Sequence, residues 1–158
     1  MQSTINYEEV LNALKLLKQD NQLFEIRIIN GKWNASGYFT SPEVAVQELK
    51  RIRIKDNTNI YFCLNFINDA CYSRKQRNKI IENAENTTKD NDIIGYQWLM
   101  IDIDPKRPTG TSSSNEQLEL AKQKAKKIYA FMKKQSWYDP IIAMSGNGYH
   151  LLYNVALK

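Results

Sequence analysis

The sequence is poor in cysteine and histidine, the side chains that form zinc clusters and, for cysteine, carry redox chemistry. Only two cysteines, Cys63 and Cys71, and one histidine, His150, occur among its 158 residues. These are too few for a Cys/His zinc cluster, and a nuclease that relies on paired histidines is excluded for the same reason. We expect both cysteines to pack as small apolar groups in a reducing compartment.

Long hydrophobic runs are also missing. No apolar stretch approaches the ~20 residues that span a membrane, and the opening MQSTINYEEV lacks the basic-then-apolar pattern of a secretory signal. We therefore expect a cytoplasmic protein without a membrane partner. The 22 Lys and Arg residues against 17 Asp and Glu give a net charge of +5, which suits a polyanionic partner such as nucleic acid without requiring one.

Three segments carry the start signals of helices. Asn6, followed by Glu9, predicts the N-cap of a first helix, and Ser41-Pro42 predicts the start of a second. For a third helix, Ser113 and Glu116 fit a capping box ahead of apolar residues that repeat every three to four positions.

Strand patterns lie between and after these helices. They cover residues 23–29, 60–66, 97–104, 141–144 and 149–155, with a further extended piece after the turn near residue 31. After residue 95 the order is strand, helix, strand, strand. This order predicts an α/β (α+β) sandwich in which helices pack on a sheet.

The stretch WLMIDIDPKRP contains two aspartates inside an apolar run. Side chains two apart in a strand share a face, so Asp102 and Asp104 project together at the strand end that Pro105 terminates. The opposite face is expected to pack through Leu99, Ile101 and Ile103. Two convergent carboxylates suit Mg²⁺ or Mn²⁺. An isolated D-x-D also occurs on solvent-facing strand ends, so the pair needs a second site to be informative.

The second site is SGNGYHLLY. Asn147-Gly148 is a strong signal for a two-residue type I′ hairpin turn. In that register Ser145 lies directly opposite His150, and a hydroxyl and an imidazole side by side can bind phosphate oxygens. The alternative is a serine that closes the turn beside a half-buried histidine.

A polar region extends from Ile67 to Ile94 and contains SRKQRNKIIENAENTTKDND. It is interpreted either as a solvated helix and loop or as a surface that contacts phosphates. Composition alone favours the solvated segment.

With both motifs in view, the sequence resembles the catalytic domain of the archaeo-eukaryotic primase superfamily, in particular the primase-polymerases of bacterial mobile elements and phages. In that superfamily an h-D-h-D strand, here MIDID, holds the catalytic metals, and a later S…H strand pair, here SGNGYHLLY, contacts the incoming nucleotide. The stretches ASGYF, YFCLN and TTKDNDI also resemble primase domains that precede replicative helicases.

The resemblance implies a DNA primase-polymerase fold, with an N-terminal αβ module over about residues 1–95 and the start of an RRM-like catalytic sheet over about 96–158. It implies two-metal nucleotidyl transfer, with catalytic and metal-binding roles for Asp102 and Asp104 and a catalytic role for His150. Nucleotide binding would fall to Ser145, Asn147, His150 and Arg107, and nucleic-acid contacts to Arg74, Lys75, Arg77 and Lys106.

The family pattern has a third acidic residue beyond the S…H motif. Because the sequence given ends at Lys158, we expect a truncated catalytic domain that does not polymerise by itself. The implied cofactor is Mg²⁺ or Mn²⁺. The implied partners are a single-stranded DNA template and primer, nucleoside triphosphates, and a replicative helicase in the same or a neighbouring chain.

Two other functions remain open. A metal-dependent glycosyltransferase would explain the D-x-D pair but not the Ser145/His150 pair. A non-catalytic module that binds nucleic acid or docks a partner in a replication complex would need neither aspartate.

Overall fold

The computed structural model describes residues 5–55, 57–108 and 110–157. The chain divides into two compact units, the first extending to Tyr96 and the second covering Gln97–Leu157. Within the described residues there are three α-helices and two antiparallel sheets, which confirms the α+β class. None of these helices combines the length and apolar character that a membrane span requires.

The first unit is a sheet covered by two helices. Its elements are α1 (Tyr7–Leu17), β1 (Phe24–Asn30), β2 (Trp33–Phe39), α2 (Pro42–Arg51), β3 (Asn59–Phe62), β4 (Phe66–Ile67) and β5 (Ile81–Glu82). The sheet order is β3-β1-β2-β5. One face packs into an apolar core that includes Leu14, Phe24, Ile26, Ile28 and Leu49.

Both helix starts predicted in this unit are confirmed. The Asn6 side chain accepts a hydrogen bond from the Glu9 amide at 3.2 Å, and the Ser41 hydroxyl accepts one from the Val44 amide at 3.3 Å. Pro42 occupies the first turn of α2, where its missing N–H costs no hydrogen bond.

The strand predicted over residues 60–66 is interrupted, because a buried lysine binds the backbone between β3 and β4. Lys18 Nζ donates to the carbonyl oxygens of Cys63 and Leu64 and lies 5.6 Å from the centroid of the Phe62 ring. Burial lowers the pKa of Lys18 to about 8, since removal from water disfavours the charged ammonium.

This burial predicts a pH-dependent stability. Between about pH 8 and the ordinary lysine value of 10.5, the unfolded chain keeps the Lys18 proton that the folded chain has lost. The contribution of Lys18 to the free energy of unfolding should therefore rise with pH over this window, by up to ~3 kcal/mol. Urea denaturation at several pH values measures it. Lys18→Met should lack the rise and Lys32→Met, at an exposed position, should keep it. Equal slopes for the parent and Lys18→Met would contradict the assignment.

The second unit is a sheet with one helix packed on it. β6 (Ile93–Ile103) begins in the first unit, where Gly95 pairs with Phe66, and ends in the second. It is followed by α3 (Asn115–Lys134), β7 (Ile141–Met144) and β8 (Tyr149–Leu157). The strand order in this unit is β6-β8-β7. Its core contains Ile103, Ala121, Ala125, Leu151 and Tyr153.

The start of α3 differs from the prediction by one residue. Ser114, not Ser113, is the N-cap, and its capping box is completed by Gln117 instead of Glu116. The run of three serines at 112–114 offers several capping side chains. Because Ser114 caps the helix, the side chain of Ser113 is available for other contacts.

Tyr153 carries a buried hydroxyl with no hydrogen-bond partner among the described residues. The residue is 2% exposed, and burial raises the pKa of its phenol. Tyr153→Phe removes a desolvated hydroxyl while keeping the ring and its edge contact with Trp137, so we expect unfolding to cost about 1 kcal/mol more. Thermal and urea denaturation measure this. A destabilised Tyr153→Phe variant would show that the hydroxyl has a partner.

Candidate functional site

The end of β6 presents two carboxylates to solvent. The side chains of Asp102 and Asp104 are 55% and 46% exposed, whereas Ile103 between them is buried against α3. The predicted alternation holds at this end of the strand, and Ile101 packs on the same core. Leu99 is 40% exposed, so the expectation that it also packs this core is wrong.

The hairpin that carries the second motif has a different register from the one predicted. Met144 pairs with Tyr149 and Ala143 pairs with His150, so the loop has four residues and Ser145 does not lie opposite His150. The Ser145 amide donates to the Gly148 carbonyl at 3.1 Å, and the Ser145 hydroxyl accepts from the Gly148 amide at 3.0 Å. These bonds close the wider loop, with its positive φ at Gly146 instead of at an Asn-Gly pair.

The loop of residues 145–148 contacts the end of β6. A Cβ on Gly148 would overlap with the Asp104 carboxylate and the Ile103 carbonyl oxygen. Glycine is therefore required at this position for close approach of the two segments. Gly148 is thus part of the loop between β7 and β8 and also lets this loop reach the acidic strand.

Each aspartate has a nitrogen-bearing neighbour. The Nε2 atom of His150 lies 3.3 Å from Oδ1 of Asp102, which forms an ion pair when the imidazole is protonated. Arg107 Nη2 donates to Oδ2 of Asp104 at 3.1 Å. An imidazole and a guanidinium thus lie beside the two carboxylates at the end of β6. Exposed carboxylates are ligands suited to a hard cation, and a guanidinium is a donor suited to phosphate.

Ser113 connects these groups and was not recognised as a site residue from the sequence. Its amide donates to Asn147 Oδ1 at 3.0 Å and its hydroxyl to the Asn147 carbonyl at 2.7 Å. The same hydroxyl accepts from Arg107 Nε at 3.2 Å. Because Arg107 also binds Asp104, hydrogen bonds run continuously from the acidic strand to the loop. The sequence predicted Ser113 as the N-cap of α3, and that prediction gave the residue no role in the site.

Several of the predicted site residues therefore come together in the second unit: Asp102, Asp104, Arg107, Asn147 and His150. Ser145 is adjacent, but its hydroxyl bonds within its own loop, and Lys106 is exposed. No group of three or more His, Cys, Asp or Glu side chains able to hold a metal ion occurs among the described residues. The two carboxylates nevertheless fit Mg²⁺ or Mn²⁺, since Mg²⁺ usually binds through one or two carboxylates and completes its shell with water and substrate phosphates.

The predicted nucleic-acid contacts Arg74, Lys75 and Arg77 lie in the first unit. The Lys75 side chain is 6% exposed; it donates to the Ser36 hydroxyl at 3.1 Å. Because Lys75 is buried, it does not fit the predicted contact with a nucleic-acid backbone. Its burial also does not fit the alternative of a fully solvated segment. Arg74 donates two hydrogen bonds of 2.7 Å to Asp92, and this pairing holds the pKa of the Asp92 carboxyl well below its usual range.

Comparison with known proteins finds no matching protein-family model, no matching curated protein and no matching solved structure. Function therefore has to be inferred from the residues of the site and from their geometry.

Ser113 predicts a stability effect specific to this site. Ser113→Ala removes the hydroxyl that joins Arg107 to Asn147 and should lower the free energy of unfolding by ~1–2 kcal/mol. The neighbouring Ser112, which is exposed, gives the matched control Ser112→Ala, for which we expect no measurable change. Urea denaturation compares the two variants. Equal stabilities would show that the hydroxyl bridge contributes nothing.

Proposed function

We propose that the second unit supplies the metal- and nucleotide-binding residues of a primase-polymerase of the archaeo-eukaryotic primase superfamily, which catalyses template-directed nucleotidyl transfer. The observation that carries the proposal is the meeting of the two motifs. His150 Nε2 lies 3.3 Å from Asp102 Oδ1, and the loop before it contacts Asp104. In this proposal the first unit is the N-terminal αβ module, and the second begins the RRM-like catalytic sheet.

Asp102 and Asp104 are the residues that would hold the cation. Their exposed carboxylate oxygens are the hard ligands that Mg²⁺ and Mn²⁺ prefer. When bound, such ions activate an attacking 3′-hydroxyl and stabilise a leaving pyrophosphate. Isosteric replacement of either aspartate by asparagine removes one negative charge and keeps the shape of the side chain.

His150 and Arg107 are the residues that would bind the triphosphate. Both lie beside the aspartates, and Arg107 offers a planar set of donors suited to phosphate oxygens. Ser145 and Asn147 belong to the same loop. Asn147 acts as a positioning residue here, because its carbonyl and side-chain oxygens are bound to Ser113.

The partners implied are a single-stranded DNA template and primer, nucleoside triphosphates, and a replicative helicase of a mobile element or phage. The net charge of +5 supports a polyanionic partner. Lys106, which is exposed beside the acidic strand, remains the simplest candidate for a template contact near the site.

The proposal is tested by nucleotide binding to the 158-residue chain, with a fluorescent nucleoside triphosphate titrated in Mn²⁺ and in EDTA. We expect Mn²⁺-dependent binding that weakens about tenfold or more in Asp102→Asn and in Asp104→Asn, since each loses a charged ligand of the cation. His150→Gln should weaken it to a lesser extent.

Asp139→Asn is the matched control, because Asp139 is an exposed aspartate of the same unit that pairs with Lys133 at 2.7 Å. Its affinity should equal that of the parent chain. Binding that is the same in EDTA, or insensitive to both site variants, would contradict the proposal and favour a non-catalytic module. Preference for a sugar nucleotide over the plain triphosphate would favour the glycosyltransferase alternative.

A further inference from the structure

The sheet of the first unit has one face on the apolar core. The opposite face carries polar side chains, several of which are buried. Glu25 and Arg27 lie on this face of β1, opposite Tyr38 and Ser36 of β2 in the cross-strand register. Glu25 is 2% exposed. A carboxylate is costly to bury unless it is paired and hydrogen-bonded, so its partners are informative.

Glu25 uses both oxygens to hold its neighbours. Oε1 accepts from the Ser36 hydroxyl and lies 4.0 Å from Lys75 Nζ. Oε2 accepts from Arg27 Nη2 at 2.8 Å and from the Thr88 amide at 3.1 Å. The carboxylate is thus saturated by this unit and has little capacity left for a ligand.

These bonds hold the Arg27 side chain in place but engage only one of its three guanidinium nitrogens. Its Nη2 atom donates to Glu25 and to the Thr88 carbonyl, both at 2.8 Å, whereas Nε and Nη1 have no partner among the described residues. The side chain is 33% exposed. A guanidinium fixed at one corner with further donors free is preorganised for an anion.

Arg27 lines a cavity of about 420 Å³. Apolar walls are contributed by Ile29, Phe62 and Ile93, and Lys89 and Asp90 lie at the exposed rim. Tyr61 of β3 pairs directly with Arg27 across the sheet and is 53% exposed. An aromatic ring and a guanidinium therefore stand side by side at the edge of an apolar hollow.

We propose that this cavity binds one nucleotide of a single-stranded nucleic acid, with the base stacked on Tyr61 and a phosphate on Arg27. Its volume lies within the ~300–1,000 Å³ of small-molecule pockets. Stacking on an aromatic side chain combined with a cationic contact is the usual way in which single strands are bound without sequence preference. The site uses no metal ligand and does not depend on the function proposed for the second unit.

The test measures anisotropy of a fluorescent oligo(dT) about ten nucleotides long with the 158-residue chain in EDTA, which removes any contribution from a metal-dependent site. We expect binding that weakens about fivefold or more in Tyr61→Ala, since the variant loses the ring on which the base stacks. Tyr61→Phe keeps the ring and should bind as the parent does.

Tyr138→Ala is the matched control, because Tyr138 is 90% exposed in the second unit; its affinity should not change. Arg27→Gln should weaken binding. It should also make the slope of log affinity against log salt concentration shallower by about one unit, since one phosphate contact is lost. Because that variant also removes one partner of the buried Glu25, its fold is checked by circular dichroism. If it fails to fold, the Tyr61 variants decide the outcome.

Three results would overturn the proposal. The first is the absence of binding in EDTA, and the second is an unchanged affinity of Tyr61→Ala. The third is competition by free dTMP as effective as that by the oligonucleotide, which would assign the cavity to a free nucleotide. Asp102→Asn distinguishes the two sites, since it should leave oligonucleotide binding in EDTA unchanged while it weakens metal-dependent triphosphate binding.

Discussion

The loop between β7 and β8 lies so close to the end of β6 that position 148 has no room for a side chain. The arrangement of the second unit depends on this contact. It brings His150 within 3.3 Å of Asp102 and lets Asn147 bind Ser113. Two motifs far apart in the chain thus become neighbours, and a D-x-D pair that is uninformative alone acquires donors suited to phosphate.

Both units use a carboxylate to hold an arginine, with opposite consequences. Glu25 is buried, and its partners saturate it, because an unpaired carboxylate in that environment would be costly. It fixes Arg27 through one nitrogen of the guanidinium. Asp104 is exposed, so its pairing with Arg107 costs little to exchange. In the function proposed for this unit, a cation and a phosphate replace the two partners. Burial therefore distinguishes the carboxylate that positions an arginine, Glu25, from the one proposed to bind a ligand, Asp104.

The elements predicted correctly are those governed by local energetics. The caps at Asn6 and Ser41 form as expected, because a side-chain oxygen satisfies amides within the same turn whatever lies further away. The alternation around Ile103 holds because adjacent residues in a strand must face opposite sides. Where the sequence offered near-equal choices, prediction failed. The serine run allowed two capping frames, and the Ser145 side chain closed a four-residue loop in place of the two-residue Asn-Gly turn.

By itself, the sequence determined the α+β class, the approximate positions of helices and strands, and the exposed acidic pair at the end of β6, since all of these follow from periodicity and from contacts within a few residues. Tertiary structure alone decided that Lys75 is buried beside Glu25 and that Ser113 joins Arg107 to Asn147. The physical reason is that a polar side chain has many possible partners of similar energy. The packing of distant segments selects among them, and no local pattern records that selection.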